Sequence, residues 1–155
     1  ICNSQSLGSI EMTDLVQALR KTLTSNFALY LKTHMFHWNV ESPSFAEYHG
    51  FWSDVYEDLH DQTDTLAEYI RQEGEYAPGA LGVYSTESSI RDEDGFPNAH
   101  DMFTKFLTDN QLMIMLFEDL YHKAEAAHAH QISNYCADRL GQHKKYAWMV
   151  KSFLK

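Results

Sequence analysis

A chain of 155 residues with 44% hydrophobic content can bury one core and has no need of a second domain, so residues 1–155 are read as a single unit. Its 22 acidic residues against 12 basic ones give a formal charge of -10, which repels nucleic acid and anionic membranes and draws cations, making metal ions the natural partner. The only cysteines, Cys2 and Cys136, form no C-x-x-C pair, which argues against a disulfide framework or a cysteine metal site and fits a reducing cytoplasm. No apolar run has the length of a membrane span or of a secretory leader.

Residues 1–12 are mostly small and polar and are expected to form a flexible N-terminal segment. From about Thr13 to Trp38, Leu15, Leu19, Leu23, Phe27 and Tyr30 recur at spacings of three or four, which predicts an amphipathic helix. A break at Asn39 to Ser44 follows. There, Ser42 with Pro43 at the first helical position, or Ser44 with Glu47 in a capping box, starts a second helix. That helix runs to about Glu73 and is expected to bury Phe45, Trp52, Val55, Leu59, Leu66 and Ile70.

Gly74 to Pro97 holds most of the glycines and two of the three prolines, so it reads as a long connection, with one short helical piece at Ala80 to Tyr84. Asn98 is placed to cap a third helix carrying Met102, Phe106, Met113, Phe117 and Leu120. No Gly or Pro occurs between Asn98 and Leu140, and the turn into a fourth helix is expected near Ala127 to Gln131. The last helix carries Ile132, Tyr135, Leu140, Trp148, Val150 and Leu154, with Lys144, Lys145, Lys151 and Lys155 toward its C-terminus, where cations complement the helix dipole. Four long helices with a long crossover between the second and third describe an all-α, ferritin-like four-helix bundle.

At ~100° per residue, His49, Ser53, Glu57, His60, Asp64 and Glu68 fall on one side of the second helix. The bland reading of this stripe is solvated surface. One metal reading uses the E-x-x-H pairs Glu57/His60 and Glu125/His128, which match the inward-facing motif of di-iron carboxylate bundles. It lacks a carboxylate from the first helix, which has no acid between Asp14 and Glu41.

A second reading joins His37 and His49 to Asp64 and Glu68. Fifteen residues separate His49 from Asp64, about 22 Å along a straight helix, so a shared ion would require two subunits packed antiparallel.

His37-Trp38-Asn39-Val40, Pro43-x-Phe45, His49 and Asp64-Thr65-Leu66-Ala67-Glu68 resemble the signature of the Dps family of mini-ferritins. Tyr76-Ala77-Pro78-Gly79 and His143-x-Lys145-x-x-Trp148-Met149-x-x-Ser152-Phe153-Leu154 extend the resemblance from about Leu15 to the end of the chain. The resemblance implies a homo-oligomer, a dodecameric shell, with ferroxidase centres at its two-fold interfaces. There His37 and His49 of one subunit would face Asp64 and Glu68 of another as catalytic metal ligands. The implied substrates are ferrous iron and hydrogen peroxide or oxygen, in a mono-iron or di-iron centre, and the product is a stored ferric mineral. Trp38 and Trp52 are candidate electron donors, with core packing as the plainer role.

Three departures qualify that picture. The family usually places an aspartate four residues after the second histidine, where this chain has Ser53, so impaired oxidation is a competing expectation and Ser53 itself, Glu57 and His60 become auxiliary ligand candidates. The region where the family lines its three-fold pores with acids holds His130 and Asn134, and three copies of His130 around an axis could bind a metal. Many Dps proteins bind DNA through a lysine-rich N-terminal tail, but none of the first nineteen residues here is Lys or Arg, so DNA compaction is the runner-up and any such binding is expected to be weak.

Overall fold

The structure, a computed structural model, describes residues 12–155. The expected flexible segment therefore lies, but for Met12, outside the described residues. Five helices follow in chain order: α1 (Asp14–Asn39), α2 (Phe45–Gln72), α3 (Leu81–Glu87), α4 (Ala99–Ala126) and α5 (His130–Phe153). The described residues contain no strand. Helix α1 packs on α2, α4 packs on α5, and α1 meets α4, so two helical hairpins close on each other as a four-helix bundle. The crossover at residues 73–98 joins the hairpins, and α3 lies against α1.

Thr13 starts α1 by accepting a bond from the Val16 amide at 3.2 Å, and Asn98 starts α4 by accepting one from the Asp101 amide at 2.9 Å. The capping box expected at Ser44 does not form. Ser44 is the N-cap of α2 but makes no side-chain cap bond, and the Ser42 hydroxyl instead accepts from the Ser44 amide at 3.0 Å, tightening the corner.

Helix α2 ends at Gly74 (φ 89), with the Glu75 amide bonded to the Ile70 carbonyl and the Gly74 amide to that of Arg71. Helix α4 ends in the same two-bond pattern, but the left-handed residue is His128 (φ 58). The amides of Ala129 and His128 bond to the carbonyls of Ala124 and Glu125. The turn thus falls at residues 127–129, inside the expected window.

Leu19, Leu23, Phe36, Trp52, Leu59, Leu66, Phe106, Phe117 and Ile132 are fully buried in one core, each contributing about 1.5–3 kcal/mol for its side-chain burial. Trp52 stacks on Phe103 (5.2 Å, 22°) and also touches Phe36 and Phe51, which gives it the packing role that the sequence offered as the plainer one. Phe45, expected in the core, is instead 46% exposed, and Trp148 of α5 is 65% exposed, because each projects from the outer side of its helix.

The crossover is tied down along α1. Glu87 accepts both contacts of Arg20 (2.7 and 3.0 Å), the Ser89 amide donates to the Ser25 hydroxyl (2.9 Å), and Tyr84 packs edge-on against Phe27. Ile90 inserts into the core, and Lys32 pairs with the buried Asp109 at 2.7 Å. Among the described residues, no helix is long and apolar enough to cross a membrane.

Candidate metal centre

The C-terminal end of α1 and the first turns of α2 bring His37 beside His49. Their rings stack at 3.7 Å with 18° between planes. Nδ1 of His37 donates to the His49 carbonyl and Nδ1 of His49 donates to the His37 carbonyl, both at 2.8 Å. A ring whose Nδ1 carries the proton presents its lone pair at Nε2, so both imidazoles are held in the metal-binding tautomer. Phe45, displaced from the core, lies flat against His49 (4.8 Å, 24°) and shields its outer face.

Asp64 and Glu68 are exposed on α2, one turn apart, and at 1.5 Å per residue they lie ~22 Å or more along the helix from His49. Among the described residues of one chain, no three His, Cys, Asp or Glu side chains gather to hold a metal ion. The four expected ligands are therefore two separate pairs, one of imidazoles and one of carboxylates.

Between the pairs, Ser53 donates to Glu57 Oε1 at 3.3 Å, and Glu57, His60 and Asp61 line a hollow of about 400 Å³ with Tyr30 and Tyr56. His34, which the sequence reading passed over, stacks on Tyr56 (3.8 Å, 13°) and against Trp38 (4.1 Å, 37°). Burial lowers the His34 pKa, helped by the neighbouring imidazoles of His37 and His60, which favours the neutral ring. The signal for this cluster was present in the helical spacing of Tyr30, His34, His37 and Trp38.

The E-x-x-H pairs do not point inward, which removes the intra-bundle reading. Glu57, His60 and Glu125 are exposed, and His128 leaves the helix at the left-handed turn. The bundle interior holds an ion pair instead. Arg139 grips both oxygens of Asp58 at 2.8 Å, while Tyr146 and Gln62 donate to the same carboxylate at 2.5 and 3.1 Å.

His143, fully buried, receives a contact from Arg139 at 3.2 Å on Nε2 and donates from Nδ1 to Asn110 at 2.7 Å. Burial, with the Arg139 charge, pushes its pKa down to about 3. Burial tends to raise the Asp58 pKa, but Arg139, Tyr146 and Gln62 outweigh it and hold the carboxyl below its usual range. A guanidinium thus neutralises the only acid of this interior cluster.

At the α4–α5 turn, Glu125 accepts from the Ser133 hydroxyl and lies 3.5 Å from His130 Nδ1, and His130 and Asn134 are exposed at the first turn of α5. Cys136 is a buried free thiol whose pKa burial pushes up to about 12, so it is inert.

Comparison with known proteins decides the family. Residues 16–155 match the ferritin-like domain. A DNA protection during starvation protein of Helicobacter pylori is 27% identical over 139 residues, spanning 89% of this chain and 96% of its own length. A low temperature-induced protein of Nostoc is 25% identical over 143 residues, covering 91% and 80% of the two chains. The crystal structure of a Dps protein from Bacillus brevis superposes with a TM-score of 0.87 at 25% identity, covering 94% of this chain and all of that one.

The chain belongs to the ferritin-like family, on its Dps branch. As a Dps-family chain it departs from the usual pattern at Ser53, whose hydroxyl is turned to Glu57 one turn after His49.

Proposed function

We propose that this Dps-family chain is a ferroxidase subunit. It binds ferrous iron between His37 and His49 of one copy and Asp64 and Glu68 of a second, oxidises it with hydrogen peroxide or oxygen, and stores the ferric product in a dodecameric shell in the cytoplasm. The observation that carries this reading is the reciprocal locking of His37 and His49, which fixes two lone pairs side by side with no third ligand among the described residues of the same chain. Neutral imidazoles suit the ferrous state, and carboxylates stabilise the ferric ion as it forms.

An antiparallel two-fold pairing that sets residue 49 opposite residues 64–68 completes two centres per interface and brings residues 56–59 close to the axis. Exposed Trp38 and Phe45 flank the histidine pair and supply apolar surface for that contact. His130, Asn134 and their copies around a three-fold axis are the proposed entry for iron.

A second reading, a shell that binds iron but oxidises it slowly, is favoured by Ser53, which gives the centre one carboxylate fewer than the family pattern. DNA compaction is disfavoured by the charge of -10, which opposes phosphate contacts.

Stopped-flow oxidation of Fe(II) added at one equivalent per chain tests the proposal. With peroxide, the wild-type rate should exceed the buffer rate and fall at least about tenfold in His37→Ala and in Asp64→Ala. Tight binding with slow turnover selects the second reading. A rate indifferent to both substitutions overturns the first.

A further inference from the structure

The face of α1 that carries His37 also carries a continuous run of ring contacts that iron binding does not require. Tyr30 Oη lies 3.2 Å from Nδ1 of His34. The His34 ring stacks on Tyr56 at 3.8 Å, and the edge of Tyr56 meets His37 at 5.0 Å. Tyr30 itself touches Tyr56 at 6.4 Å and His60 at 5.0 Å. Both tyrosines are half-buried, at the hollow between the imidazole pair and the carboxylate pair.

We propose that Tyr30, His34 and Tyr56 form a proton-coupled electron relay that supplies the iron centre with the second electron peroxide needs. The proposal rests on the ferroxidase reading above. Splitting hydrogen peroxide into two hydroxides takes two electrons, whereas one ferrous ion gives one. Ser53 in place of a carboxylate leaves a centre suited to a single iron, so the electron count is short by one. A one-electron split would release a hydroxyl radical.

With the relay, the step balances. Fe²⁺, H₂O₂, the Tyr30 phenol and neutral His34 become Fe³⁺, two OH⁻, a Tyr30 phenoxyl radical and protonated His34, with total charge +2 on each side. The O–O bond of peroxide and the O–H bond of Tyr30 break. The electron leaves through the Tyr56 and His37 rings, and, with His34 in the tautomer that carries its proton on Nε2, the phenol proton crosses the 3.2 Å contact to Nδ1. A second Fe²⁺ then returns an electron to Tyr30, His34 returns the proton, and another Fe³⁺ results.

Trp38 also touches His34 at 4.1 Å, but it is 58% exposed and the contact is ring to ring, giving its N–H no acceptor there. Tyr30 has its proton acceptor in place.

The test loads wild type, Tyr30→Phe, Tyr56→Phe and His37→Ala with one Fe(II) per chain, mixes each with one equivalent of peroxide, and freezes the samples for electron paramagnetic resonance. Parallel samples contain a hydroxyl-radical spin trap, and Fe(II) titration checks that binding is intact. Phenylalanine keeps the ring packing, and circular dichroism checks the fold.

Wild type should give a tyrosyl signal that narrows when the protein carries ring-deuterated tyrosine, with little trapped hydroxyl radical. Tyr30→Phe should lose the signal and raise the trapped radical several-fold at unchanged Fe(II) affinity, and Tyr56→Phe should weaken the signal. If oxidation depends on His37 yet Tyr30→Phe matches wild type in both readouts, or if the radical does not respond to tyrosine deuteration, the relay is overturned while the ferroxidase reading stands. If wild type shows no His37-dependent oxidation, both fall.

Discussion

His37 and His49 lock each other through their backbones: each Nδ1 donates to the other residue's carbonyl oxygen at 2.8 Å, with the rings stacked 3.7 Å apart. The His37 carbonyl is one of the last four of α1, which lack an amide partner within the helix. One pair of bonds therefore closes the α1–α2 corner and orients the two candidate ligands. Replacing His49 by Ala removes one ligand and releases the other. Fe(II) affinity should fall about 10–100-fold or more by titration, and urea unfolding should show a loss of about 1–2 kcal/mol. Unchanged affinity would mean that the pair serves the fold alone.

Ser53 stands one turn after His49 and hydrogen bonds to Glu57 at 3.3 Å. A carboxylate there adds a hard oxygen ligand for iron on the same helix face. Calorimetric titration of Ser53→Asp should show a second Fe(II) equivalent per centre or at least about tenfold tighter binding, a gain of ~1.4 kcal/mol. Identical isotherms for the two proteins would remove Ser53 from the account.

The interior network predicts acid sensitivity from two groups of depressed pKa. His143, at about 3 in the folded chain, takes a proton near 6.5 once unfolded, so stability falls as pH drops below 6.5 and the slope ends near 3. Asp58, held below its ordinary value, contributes fully above the unfolded pKa of ~3.9 and loses that contribution as pH falls through the folded one. Between pH 6.5 and about 5, His143 alone should cost about 2 kcal/mol at roughly 1.4 kcal/mol per unit. Urea unfolding across this window should show a smaller slope for His143→Gln. Equal slopes would place the acid sensitivity elsewhere.

His128 ends α4 in a left-handed conformation (φ 58), where a side chain costs about 1–2 kcal/mol and glycine costs little. His128→Gly should raise stability by about 0.5–1 kcal/mol, net of the extra entropy of the unfolded glycine chain. Thermal unfolding reads the gain, and a lower midpoint would show that the exposed imidazole contributes more than its backbone strain costs.

The four long helices, the crossover and the short α3 were legible because Leu and Phe recur at helical spacing and because Thr13 and Asn98 mark starts while Gly74 marks a stop. The α4–α5 turn carried no such mark, since His128 occupies the place usually taken by glycine. The candidate ligands were legible as a spacing, and the distance that keeps the two pairs apart in one chain as a helix length. Their mutual locking was not, because it depends on the register in which α1 lies against α2. The Asp58, Arg139 and His143 cluster was hidden for a different reason. Arg139 and His143 continue the buried series Ile132, Cys136, Tyr146 and Val150, where periodicity leads a reader to expect apolar residues.

The inter-subunit centre is tested most directly by mixing two defective chains. His37→Ala/His49→Ala protein and Asp64→Ala/Glu68→Ala protein, each inactive alone, are dissociated, combined in equal amounts and reassembled. In every mixed pair the intact imidazoles of one chain meet the intact carboxylates of the other at one of the two centres. Random pairing should then restore about a quarter of the wild-type initial rate of Fe(II) oxidation. Mixed shells that assemble yet stay as inactive as their parents would contradict a centre shared between two chains.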